Sequence, residues 1–250
     1  MKRICLLFLT AISFSFVGAQ SNFYDVKKLQ AKVSDVYTRL EDTLCKQFTA
    51  KGLKWPAKYI YIRSFKYEAS LEIWAKNEYK EPYKLFKTYK VCMQSGTMGP
   101  KRLQGDFQVP EGFYYINEYN ANSIYHFALG LNYPNFSDRL LSDSLQPGSD
   151  IYIHGNCVSV GCIPVNDKQI EELYVITTSA KNNGEDFIPV HIYPVKYALK
   201  KSTDYLTQAI RLKPSLAAFN IKLKAAYDHF EKTKQLPVIM TNKKGEYVVN

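Results

Sequence analysis

The hydrophobic period changes near Tyr59, and this change most constrains the fold. Before it, Val26, Leu29, Val33, Val36, Tyr37, Leu40, Leu44 and Phe48 recur mostly at three- and four-residue spacing. That is the stripe of an amphipathic helix, and Gly52 supplies a stop. A face packed on the main domain explains it most simply; a partner-binding helix is the alternative. From Tyr59 the period is two. Tyr59 to Arg63, Ser70 to Ala75 and Tyr83 to Cys92 read as strands, as do Phe113 to Ile116 and Ser123 to Leu129 beyond a turn-rich stretch. Asn132-Tyr-Pro-Asn135 and Gln146-Pro-Gly148 are loop punctuation, and Ile151 to Ile153 is a short strand. Asn166-Asp167 can cap a helix to about Lys181. Ile188 to Tyr193 then closes the β unit, and Pro189 suggests a sheet edge. Helical periodicity returns from Ser202. Pro214 breaks that helix or starts another, with the stripe Leu216, Phe219, Leu223, Ala226 and Phe230. Val238 to Val249 suits a small hairpin around Lys244-Gly245. The expected fold is α+β and mainly β: a catalytic unit over 55–195, an N-terminal helix within 20–54 and a helical extension over 196–250.

Residues 1–19 read as an export signal. Basic Lys2-Arg3, the apolar run Leu6 to Val17 and the small-residue pattern Val17-Gly18-Ala19 predict cleavage after Ala19. The run is short for a membrane span, which needs about 20 apolar residues. Cys5 precedes the run, where a lipid-modified cysteine would not sit, and no later segment is long and apolar enough to span. The expected product is an exported, periplasmic protein. Cleavage removes two of the 33 basic side chains, leaving 31 against 23 acidic ones, a net +8. Export argues against a nucleic-acid partner. Anionic cell wall suits the charge, and lysines scattered for solubility explain it as well.

The chemistry concentrates in Ile151-Tyr-Ile-His154-Gly155-Asn-Cys157-Val-Ser159-Val-Gly161-Cys162-Ile-Pro164. A histidine at a strand end and a cysteine eight residues later, in a glycine-containing loop, can meet in space. Cys162 is the candidate nucleophile and His154 the candidate base, because a thiol needs a partner to react as thiolate near neutral pH. Gly161 and Gly155 allow close backbone approach, and Ser159 can bond within the loop. The Cys162 amide, with neighbouring loop amides, can form an oxyanion hole. Asp150 lies at the far end of the strand, so a backbone carbonyl is expected to orient the histidine. Lys101, Tyr133 and His126 are further candidates for substrate contact. A solvated surface lysine is the simpler account of Lys101; Tyr133, like Tyr125, can line a cleft or pack the sheet, and His126 can lie near the cleft or fill the sheet.

Other readings compete. Cys157 and Cys162 share a short loop, and a bridge between them would leave an inactive cell-wall-binding module. His154, Cys157 and Cys162 are possible zinc ligands, but no C-x-x-C pair exists and the other histidines are scattered. Cys45 falls on a helical apolar face as a core thiol, and Cys92 ends a strand.

His154-Gly155 followed by Ser159-x-Gly161-Cys162-Ile163 resembles the signature of the L,D-transpeptidase catalytic domain (YkuD type). The short gap and Cys157 resemble the branch of YafK-like murein enzymes. Gly99-Pro-Lys101, Gly105-Asp106, Val109-Pro-Glu-Gly112-Phe-Tyr114 and Asn132-Tyr-Pro-Asn135 fall in the order expected of the family. The resemblance implies a β-sandwich-like domain with the cysteine in a cleft. It implies attack on the bond after meso-diaminopimelate in a peptidoglycan tetrapeptide stem and a thioester acyl-enzyme on Cys162. His154 would carry the proton, and no metal or organic cofactor is implied. An amine acceptor gives a cross-link or protein attachment, and water gives hydrolysis. Val160 stands where many members have histidine, and Pro164 where many carry arginine. The YafK-like branch also lacks that arginine, and its members are associated with hydrolysis that releases protein attached to peptidoglycan.

Overall fold

The computed structural model describes residues 30–250. The expected signal peptide, the mature start and the first two positions of the first helical stripe lie outside the described residues. Helix α1 (Ala31–Ala50) is followed by strands β1 (Tyr59–Phe65), β2 (Ser70–Lys76), β3 (Lys84–Lys90), β4 (Gly112–Asn120) and β5 (Ala128–Leu131). Next come α2 (Phe136–Leu141), β6 (Tyr152–His154), β7 (Ile163–Pro164), α3 (Asp167–Asn182) and β8 (Pro189–Tyr193). The chain ends with α4 (Lys200–Ile210), α5 (Pro214–Thr233) and the hairpin β9 (Ile239–Thr241) and β10 (Tyr247–Val249).

Eight strands form one sheet in the order β3-β2-β1-β8-β4-β5-β6-β7. Strand alternation gives this sheet two faces. On one face Ile60, Ile62, Ile73, Val190, Ile116, Leu129, Ile153 and Ile163 form a core with Val36, Phe48, Leu173 and Tyr174 of α1 and α3. The other face carries Tyr61, Trp74, Phe65 and Tyr193, covered by α5 through Phe230, Tyr227 and Leu223. A bulge between Ile116 and Glu118 bends β4. The sheet curls until its edges approach each other, and the Cys92 amide just past β3 donates to the Pro164 carbonyl of β7 at 2.9 Å.

Two strand expectations need correction. Pro189 lies in the middle of the sheet, because β8 sits between β1 and β4. Its missing N–H costs nothing there: the ladder with β1 begins only at Val190. Ser123 to His126 is not strand. Ser123 Oγ accepts the Tyr125 amide, His126 has φ of 75°, and Lys32 Nζ takes the carbonyls of Ala121 and His126. Helix α2 fills a stretch with no helical expectation. It is short, but Asn135 and Asp138 close a capping box at its start. Pro214 opens a second helix as its first residue.

Candidate active site

The β6–β7 register brings the two candidate reactive side chains onto one face. Ile153 pairs with Ile163 and His154 with Pro164. Both isoleucines point into the core, so His154, and Cys162 just before Ile163, point to the opposite face. They line one cleft of about 390 Å³ with Asn120, Asn122, Tyr125, Asp150 and Tyr152.

His154 is buried. Its Nδ1 donates to the Gly155 carbonyl at 2.6 Å, as expected of a backbone partner, which leaves Nε2 with the lone pair. The Tyr125 ring lies against it, centroids 4.7 Å apart. Burial lowers the imidazole pKa, and the Gly155 bond works the other way. Cys162 Sγ accepts from the Tyr152 amide at 3.4 Å and faces the Asp150 carbonyl at 3.7 Å. Burial pushes the thiol pKa up, the Tyr152 amide lowers it, the nearby Asp150 charge raises it and Lys101 lowers it. Both shifts favour the neutral forms. The pair is therefore biased toward a neutral thiol and a neutral imidazole.

The loop between them is fixed at several points. Ser159 Oγ donates to the Cys162 carbonyl at 2.7 Å and accepts from the Gly161 amide at 3.1 Å, so Ser159 holds the loop from within. That occupies the Gly161 amide and leaves the Cys162 amide as the candidate oxyanion donor. Gly161 has φ of 136°, a conformation open to glycine. A Cβ at Gly155 would lie 2.6 Å from Asp167 Oδ1 and 2.9 Å from the Tyr125 carbonyl. Asp167 also accepts the Asn156 amide at 2.8 Å, tying the loop to the start of α3.

A disulfide joins Cys92 to Cys157, with Cα atoms 5.2 Å apart, while Cys45 and Cys162 are free and half-buried. The Cys157–Cys162 bridge is therefore overturned, and the reading of an inactive cell-wall-binding module loses the bridge it was built on. The thiol of Cys162 turns back to the Tyr152 and Asp150 backbone, while Cys157 meets the far edge of the curled sheet. The zinc reading loses Cys157 as a ligand for the same reason. Among the described residues, no cluster of three or more His, Cys, Asp or Glu side chains could hold a metal ion.

The three weaker candidates do not line the cleft. Lys101 is buried and donates to Asp106 and to the Leu103 carbonyl. Tyr133 is buried, its hydroxyl donating to the Pro147 carbonyl at 2.7 Å. His126 Nε2 pairs with Glu171 Oε1 of α3 at 2.7 Å. Sequence reasoning missed two organisers of the segment carrying Lys101. Lys66 Nζ, fully buried just past β1, donates to the carbonyls of Thr97, Gly99 and Val109 and to Glu111. Gln108 bonds Thr97 and Gly99, and its own carbonyl backs Gly161. Sequence reasoning also missed Asn120 and Asn122 of the cleft wall; Tyr125, a tyrosine the sequence offers as a cleft residue, does line it, carried there by a turn rather than a strand.

The family model for the L,D-transpeptidase catalytic domain (YkuD) matches residues 66–192. YafK of Escherichia coli K12, an L,D-transpeptidase by provisional assignment, is 35% identical over 76% of this chain and 74% of its own length. YafK of Escherichia coli O157:H7 matches equally. Among solved structures, the helical cell shape determining protein Pgp2 of Campylobacter jejuni shares 17% identity over 79% of each chain, with a TM-score of 0.44. L,D-transpeptidase 1 of Mycobacterium tuberculosis shares 12% over 54% of this chain and 61% of its own, with a TM-score of 0.31.

Proposed function

The chain belongs to the L,D-transpeptidase catalytic domain family, and on that premise we propose that it is a cysteine acyltransferase or amide hydrolase of periplasmic peptidoglycan. The observation that carries this reading is the shared cleft of Cys162 and His154, with Nδ1 of the imidazole tied to Gly155.

Cys162 Sγ attacks the carbonyl carbon of the diaminopimelate residue in a stem peptide, and His154 Nε2 takes the thiol proton. The tetrahedral oxyanion rests on the Cys162 amide. Collapse breaks the amide C–N bond, His154 returns the proton to the departing amine, and a thioester remains. An amine acceptor completes transfer, and water completes hydrolysis. Wall-attached protein is a substrate in the hydrolytic outcome. Pro164, opposite His154 on β7, presents no cation to hold a second carboxylate-bearing stem, which favours hydrolysis. Export places the enzyme with its polymer. Among the described residues, no helix is long and apolar enough to cross a membrane.

The test is mass spectrometry of muropeptides and wall-attached protein after incubation with the mature enzyme, with Cys162→Ala as control. Loss of terminal residues or attached protein without new bonds establishes hydrolysis. New bonds at diaminopimelate establish transfer. An unchanged profile with wild-type protein overturns the reading.

A further inference from the structure

The C-terminal cover of the second sheet face stops short. Helix α5 packs Phe230 over Tyr61, Trp74 and Tyr83, then ends at Lys234 in a left-handed turn, with Leu236 the last residue against this cluster. Beyond that end lies a cavity of about 480 Å³, lined by Tyr59, Tyr79, Tyr83, Lys76, Glu185 and Gln235. Tyr79 is 74% exposed and meets the Tyr59 ring edge-on at 6.2 Å. Lys76 is buried among the three rings, its ammonium 4.6 Å from the centre of Tyr83. It donates to the Tyr79 carbonyl and to Gln235 Oε1.

We propose that this cavity binds the sugar rings of a glycan strand. A pyranose has an apolar C–H face and a rim of hydroxyls that both donate and accept. The cavity offers tyrosine faces beside side chains that donate (Lys76, Tyr59, Tyr83) and one that accepts (Glu185). Simple anions suit it less: two acceptors already engage Lys76, and Glu185 would oppose them. Burial raises the Glu185 carboxyl to about 7, so it can accept or donate near neutral pH. The cavity also continues. Pro189 and Leu236 line both it and the next groove, which runs over Tyr115 and Phe136 to β4. Asn120, at the end of β4, borders the Cys162 cleft.

The identity of the glycan as that of peptidoglycan rests on the proposed function; sugar binding itself does not. The probe is a linear N-acetylglucosamine tetramer, titrated by calorimetry and by amide chemical shifts into the Cys162→Ala protein. Saturable binding is expected, weakened about tenfold or more by Tyr79→Ala and retained by Tyr79→Trp. Turnover of a free stem peptide should be unchanged in Tyr79→Ala made in the active enzyme, since Tyr79 does not line the cleft. No binding by the parent protein, or equal binding by Tyr79→Ala, overturns the proposal. Failure of stem-peptide turnover with intact tetramer binding overturns the peptidoglycan chemistry and leaves the sugar site standing.

Discussion

His154 Nδ1 lies 2.6 Å from the carbonyl oxygen of its own neighbour Gly155. A carbonyl can only accept, so this bond fixes the tautomer with the proton on Nδ1 and the basic Nε2 free. A strained or charged partner is not required, and burial lowers the pKa of the ring. The acid limb of kcat/KM, read from free enzyme, should therefore have its midpoint below the ordinary imidazole value of about 6.5. A midpoint at or above that value would show that the imidazolium is stabilised. Stability follows the same sign. Burial also lowers His191, to about 3. Below about 6.5 the unfolded chain takes up protons that these folded rings refuse. Unfolding free energy should then fall as pH drops from 6.5 toward 3, with a smaller fall in His191→Gln if that variant folds.

Asp150 has φ of 54°, and its charge raises the Cys162 pKa. Asparagine tolerates that backbone and removes the charge. Asp150→Asn should therefore alkylate faster with iodoacetamide at neutral pH, by roughly two- to fivefold, with an unchanged melting temperature. Equal or slower alkylation would remove Asp150 from the electrostatics of the thiol.

Gly155→Ala places a methyl against Asp167 Oδ1 and the Tyr125 backbone. Neither can retreat freely, because Asp167 holds the Asn156 amide and the Tyr125 segment forms the cleft wall. We expect a loss of about 1–3 kcal/mol in stability and a drop in kcat as His154 shifts. The measurements are denaturant unfolding and turnover of the same preparation.

The Cys92–Cys157 bridge crosses the seam where the curled sheet's edges approach. Thiol titration of the unreduced mature protein under denaturing conditions should count two thiols, Cys45 and Cys162. Cys92→Ser should lower stability by about 2–4 kcal/mol, the usual worth of a native disulfide. A count of zero, or peptide mapping that joins Cys162 to any partner, would contradict this pairing.

The change of period at Tyr59 and the alternation after it made the strands β1, β2 and β3 legible, and Asn166 announced α3, which it caps with Gln169 as partner. Local patterns carried those elements. They did not carry strand order. Pro189 looked like an edge residue because a missing N–H is visible in sequence, whereas the ladder that starts one residue later is not. Cys157 looked like a partner for Cys162 because they are close along the chain. The pairing is decided by the curl that brings Cys92 across. Lys66 was silent for the same reason: its acceptors come from a segment that begins about thirty residues later, and all but Glu111 are backbone carbonyls, which no residue type reveals. The motif around Gly99, Asp106 and Glu111 was visible, and its physical role is to be held by Lys66, Gln108 and the Asp106 turn.

The most direct test of the central claim is peptide-mapping mass spectrometry after acid quench of the mature enzyme mixed with a diaminopimelate-containing disaccharide tetrapeptide. The account predicts an acyl mass on Cys162 equal to the substrate less its terminal amino acid. It also predicts no adduct and no turnover with Cys162→Ala. Undiminished turnover by Cys162→Ala, or an adduct on any other side chain, would contradict it.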